Sequence, residues 1–191
     1  MARQGKIAID RRGFLATSAG VSLAAMAASP ALAAAPTRLL WLRLPGDAAA
    51  ADGVAGFFAQ TGRAMPDMVR LDHGPTMADL QRVMQARAGW RIMAVTDDAG
   101  AVAVNEVLRM QRARVLFHGD HAAMRHAGWG ASDALVAAQR RPVEWNHALG
   151  HALASIAHGA AMSAEPFAIG AAGSALGADR LVSFIADLPS A

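Results

Sequence analysis

No charged residue stands between Arg12 and Arg38, and that gap decides where folding can begin. The gap is rich in alanine and interrupted by Gly20, Ser22, Ser29 and Pro30. It is too mild and too broken to read as a stable membrane anchor. It closes on small residues, Ala31-Leu32-Ala33, so the segment reads as one set aside from the fold and cut after Ala33. The cut leaves 158 of the 191 residues as a single domain, 34–191. A domain of that size builds a hydrophobic core without staples. None is on offer, because the chain has no cysteine. Disulfides, thiolate metal sites, c-type haem attachment and cysteine catalysis are therefore excluded.

Arg11 and Arg12 lead directly into Gly13, Phe14 and Leu15, behind a basic start that carries Arg3 and Lys6. This basic pair, bulky pair, soft apolar run and A-x-A end resemble a twin-arginine export signal over residues 1–33. The chain departs from the usual pattern at Asp10, where Ser or Thr is common, and at Ala16, where a polar or basic residue is common. The resemblance implies a periplasmic destination, the twin-arginine export machinery as a partner, and cargo that folds before it travels. Such cargo often carries a cofactor, but the resemblance names none, so any cofactor here is unknown.

Charge narrows the partners. Arg3, Lys6, Arg11, Arg12 and Asp10 leave with the signal, so 18 basic and 15 acidic residues fall to 14 of each. A nucleic-acid binder carries a positive surplus for phosphate contacts, and this domain has none. The same balance argues against an anionic membrane surface. All 14 remaining basic residues are arginine, which removes Schiff-base and lysine general-base chemistry.

Hydrophobic patterning predicts a small α/β sandwich with a mixed, partly parallel sheet. Residues 37–44 read as a strand ending at the Pro45-Gly46 turn. Residues 47–60 read as a short helix or a loop with a helical turn, and 65–71 as an ambiguous segment compatible with a short strand. Thr76 with Asp79 forms a capping box for a helix over 77–88, ended by Gly89. Residues 90–95, 101–111 and 113–117 read as strand, helix and strand, the minimum crossover between parallel strands. Residues 119–130 read as loop with one helical turn at most. A helix over 133–139 and a longer one over 144–161 follow, the latter weakened by Gly150 and Gly159. Residues 169–177 read as a Gly/Ala-rich loop, and 181–185 as the last strand.

Six of the seven histidines fall between residues 118 and 158. His118, His121 and His126 follow a predicted strand, with Asp120 among them, where α/β folds place ligand sites. On the long helix, His151 and His158 stand about 40 and 20 degrees from His147, on one face, with Glu144 about 60 degrees from it. That face has three readings. His147, His151, His158 and Glu144 can hold a transition metal, completed by His118, His121 or Asp120. An imidazole can serve a haem, with Met124 or Met162 as second ligand. Or the stripe is an ordinary set of pH-sensitive surface residues. The clamp reads HALGH and lacks the glutamate of a zinc protease.

Other features carry less chemistry. His118 or His121 beside Asp120 can act as a general base toward Ser132, Ser155, Ser163 or Ser174, yet no serine sits in a G-x-S-x-G elbow. Asp97-Asp98 reads as a helix cap at Asp98 rather than a cation pair. Neither a phosphate loop nor G-x-G-x-x-G is present. Trp41 and Trp90 read as core, while Trp129 and Trp145 suit a groove or the core edge. Three functions remain: an exported accessory or binding protein that docks on a periplasmic partner or ligand, a His-based metal or haem protein, and a small serine hydrolase.

Overall fold

The computed structural model describes residues 38–46, 48–71, 76–122, 125–129, 133–139, 145–160, 162, 166–170 and 180–190. The expected export signal, Glu144, Ser132, Ser163, Ser174 and the glycine-rich stretch 171–177 lie outside them. Among the described residues the elements run β1 Leu39–Arg43, α1 Ala48–Thr61, β2 Asp67–Arg70, α2 Met77–Gln85, β3 Arg91–Thr96 and α3 Asp98–Met110. They continue as β4 Arg114–Ala122, β5 Arg125–Trp129, α4 Asp133–Gln139, α5 Trp145–Ala157, β6 Pro166–Gly170 and β7 Leu181–Asp187.

All seven strands join one mixed sheet in the order β2-β1-β3-β7-β4-β5-β6. β1 pairs in parallel with β2 and with β3, and every other neighbour is antiparallel. The expected α/β sandwich with a partly parallel sheet is thus present, with one change in wiring. β3, α3 and β4 do form strand, helix and strand, and both strands point the same way. They are not neighbours, because β7 lies between them: Thr96, Val182 and Asp120 stand side by side at one end, and Arg91, Asp187 and Arg114 at the other.

The side-chain period of two sends alternate residues of each strand to opposite layers. Trp41, Met93, Val95, Phe117, Leu181 and Ile185 meet α1, α4 and α5 on one face. Leu40, Leu42, Ile92, Ala94, Val182, Phe184 and Ala186 meet α2 and α3 on the other. The central strands β3 and β7 are buried on both faces, which is why their sequences run almost continuously apolar. β2 sits at the edge and is mostly exposed, which explains its weak pattern.

The helix caps follow local chemistry. Thr76 Oγ1 accepts from the Asp79 backbone N–H at 3.2 Å and donates to the Asp79 carboxylate at 2.6 Å, closing the expected box. The second cap is shifted by one residue: Asp97, not Asp98, accepts from the Gly100 N–H at 2.8 Å. Asp98 becomes the first helical residue, where a carboxylate favours the positive end of the helix dipole.

α1 and α5 approach so closely that side chains are excluded at their crossing. A Cβ on Gly53 would lie 1.8 Å from the His147 carbonyl oxygen, and one on Gly150 would lie 2.0 Å from that of Ala50. Gly150 is therefore a packing requirement, and it outweighs the residue's poor helix propensity.

Candidate functional site

The expected loop over 119–130 is replaced by a hairpin. β4 continues through Ala122 and pairs with β5, His118 opposite Trp129 and His121 opposite His126. Glycine, read as loop punctuation, instead permits close strand contact. A Cβ on Gly128 would sit 1.9 Å from the His118 carbonyl oxygen, and one on Gly119 would sit 2.7 Å from His121 Nε2.

Strand geometry then separates the histidines of β4. His118 and Asp120 face the α2/α3 layer, while His121 faces the α1/α5 layer. His118 lies against Phe184, ring centroids 5.0 Å apart. Burial depresses its pKa, and the nearby Asp120 charge opposes that while Arg180 adds to it. Arg180 grips Asp120 through Nε at 2.7 Å and through Nη2, and reaches Asp98 at 3.4 Å. Desolvation pushes the Asp120 carboxyl up, but the Arg180 hydrogen bonds and the positive charge around it bring it below its ordinary value.

His121 Nε2 lies 2.7 Å from Ser183 Oγ, within the reach of a base and its nucleophile. Sequence reading missed Ser183 because a serine inside an apolar strand carries no elbow motif. Both residues are fully buried, so the described arrangement gives a substrate no route to the hydroxyl. The pair joins β4 to β7. Ser155 lies on α5.

The three helix histidines do share a face, and that face is turned toward α1. The His147 imidazole passes over Gly56, whose Cβ would meet Nε2 at 3.5 Å. His151 Nε2 stands 3.3 Å from Gln60 Oε1, and its ring is edge-on to Phe57. His158 lies against Phe57 and Phe58. Among the described residues no three His, Asp or Glu side chains stand close enough to hold a metal ion together. His118 and His121 belong to the sheet and do not join His147, His151 and His158; Glu144 lies outside the described residues.

His158 has a different setting from its helix partners. It lines an open cleft of about 620 Å³ with Arg38, Leu39, Phe58, Arg63, Ala64, Met65, Pro66, Asp67 and Trp90. The cleft forms because the C-terminal ends of α1 and α5 descend past the amino end of β1 and β3. Arg38 lies over Trp90, guanidinium carbon to ring centroid 5.2 Å, and Arg87 reaches the same ring at 5.8 Å. Trp90, expected in the core, is partly buried: it packs against the α2/α3 core cluster and also serves as a wall of the cleft.

Behind this wall lies the best-formed ion pair of the fold. Arg91 is 4% exposed and donates to Asp187 from Nε at 2.6 Å and from Nη2 at 3.2 Å. Its Nη1 donates to the Ala157 carbonyl at 3.1 Å, which fixes the end of α5 beside His158. Arg114 completes the Asp187 carboxylate at 2.8 Å. Desolvation lowers the His158 pKa, and the charges of Arg63 and Arg91 lower it further. The imidazole Nδ1 is sealed from water and has no hydrogen-bond partner.

No family model matches the chain, and neither the curated proteins nor the solved structures contain a detectable match to it. Among the described residues no helix is long and apolar enough to cross a membrane.

Proposed function

We propose that the chain is an exported binding protein, carried by the twin-arginine machinery to the periplasm, which holds a small molecule at the amino end of β1 and β3. The observation that carries this reading is the cleft. Its volume of about 620 Å³ falls within the roughly 300–1,000 Å³ typical of small-molecule sites. Its walls combine apolar surface from Leu39, Phe58 and Trp90 with a few polar groups, the usual composition of such a site. An accessory role toward a periplasmic partner is compatible with the same cleft, because a ligand held there can be passed on.

Two measurements test the proposal. Arg11→Lys with Arg12→Lys should leave the precursor in the cytoplasm; unchanged periplasmic delivery would remove the export half. Native mass spectrometry of the exported protein should show an adduct of small-molecule mass. The adduct should be lost in Met65→Asp, a change at an exposed lining position, with circular dichroism confirming that this variant remains folded. An adduct retained in a folded Met65→Asp variant would place the ligand elsewhere.

A further inference from the structure

Three charged side chains line the cleft, Arg38, Arg63 and Asp67, and they stand outside the ion pairs found among the described residues. Arg63 is exposed, and among the described residues its side chain makes no hydrogen bond or ion pair. Arg38 lies over the Trp90 ring and has no carboxylate partner among the described residues. Asp67, at the start of the edge strand, also lines the cleft, yet forms no ion pair with either arginine. Two arginines against one aspartate leave a surplus of one positive charge. Apart from His158, the remaining lining is apolar, with Leu39 at the sheet, Phe58 from α1, and Pro66 before β2.

We propose that the cleft selects a small organic monoanion with an apolar body, its acid group on Arg63 and its body against Phe58, Leu39 and Pro66. This rests on the cleft being the binding site, as argued above. A guanidinium presents paired N–H donors that match a carboxylate in two parallel bonds, and Arg63 has all of its donors available. A dianion is disfavoured because Asp67 shares the cleft and leaves it a surplus of a single positive charge. A cation is disfavoured by both arginines.

The imidazole beside the site reports occupancy. The groups around His158 are Arg63 after α1, Arg38 before β1, Asp67 on β2, and Arg91 with Asp187 on β3 and β7. An anion on Arg63 offsets one of the positive charges that disfavour protonated His158. Its titration, followed by NMR, should therefore move to higher pH on binding.

The experiment compares octanoate, octanol and octylamine by calorimetry with the purified full chain. Octanoate should bind at least tenfold more tightly than octanol, and octylamine more weakly still. Arg63→Gln should cost octanoate about tenfold, or about 1.4 kcal/mol, and leave octanol unchanged. Arg63→Lys should recover part of the loss, and only octanoate should raise the His158 titration. Equal binding of octanoate and octanol, or tighter binding of octylamine, would overturn the anion inference while leaving the cleft as the site. No binding by any of the three to the folded protein would overturn the inference and the site together.

Discussion

The two ends of the sheet hold similar residues and use them differently. At the carboxyl end of β3 and β4, Asp98, Asp120 and Arg180 satisfy one another, and His121 is closed onto Ser183. At the amino end, Arg63 and Asp67 have no ion-pair partner among the described residues and line an open cleft, although a tight ion pair, Arg91 with Asp187, lies directly behind it. Fold-level analogy favours the carboxyl end for ligands. The difference teaches that topology offers positions, while pairing decides which side chains are left to meet a ligand. Thr96 Oγ1, at the carboxyl end of β3, is buried without a partner among the described residues.

The strongest way to break the comparison is to remove the support behind the cleft. Arg91→Ala strands a half-buried Asp187 with Arg114 alone and frees the Ala157 carbonyl at the end of α5. Breaking one side of a buried pair costs about 3–5 kcal/mol, and the remaining Arg114 contact places this case near the lower limit. Urea unfolding should show a loss of about 3 kcal/mol, together with loss of ligand binding. A change below about 1 kcal/mol would mean that the pair does not hold the two layers together.

Gly150→Ala comes next. The new Cβ must push α1 away from α5, and overpacking of this kind costs about 1–3 kcal/mol. Better helix propensity returns about 1 kcal/mol, so a net loss of up to about 2 kcal/mol is expected from thermal or urea unfolding. A stabilised variant would show that the helices are farther apart than their backbones indicate.

Why this contact was invisible in the sequence is instructive. A glycine inside an amphipathic helix reads as a weakness, since the pattern carries no information about a second helix ninety or so residues earlier. The legible elements were those whose signals are local. Thr76 and Asp79 fixed a cap, and the apolar runs of β3 and β7 fixed two central strands. β4 was cut short because His118, Gly119 and Asp120 look like turn chemistry until their alternation across two layers is seen. The insertion of β7 between β3 and β4 also leaves no local trace, because a buried antiparallel strand and a buried parallel one use the same residues. His158 was found by counting along the helix, but its neighbours Arg63 and Trp90 come from distant elements. A cleft assembled from helix ends and strand starts has no motif.

A smaller effect sharpens the comparison through pH. His158 at one end and His118 at the other are both depressed by burial, with arginine charges adding to it. A histidine whose pKa is lower in the fold binds fewer protons there than in the unfolded chain. Stability is therefore full above the unfolded value of about 6.5 and declines as pH falls through it toward the folded values. Urea midpoints should drop between pH 7.5 and pH 5.5. His158→Gln and His118→Gln should each flatten that slope. Saturating octanoate should flatten the His158 part alone, because anion binding favours the protonated ring. A slope that neither variant changes would assign the acid sensitivity elsewhere.

The smallest expected effect comes from the best-connected charge at the carboxyl end. Arg180 contacts two aspartates, yet its side chain is 46% exposed, so water competes for the same hydrogen bonds. Exposed ion pairs contribute about 0.2–1 kcal/mol, and salt screens them further. Arg180→Ala should cost about 0.5 kcal/mol in low salt and less in 0.5 M salt. It should leave octanoate affinity unchanged, because the ions it releases lie at the other end of the strands. A loss above about 2 kcal/mol would mean that Asp120 and His118 depend on Arg180 as a buried network would. Altered octanoate affinity would mean that the two ends of the sheet are coupled through β7, whose Val182 adjoins Asp120 and whose Asp187 holds Arg91 behind the cleft.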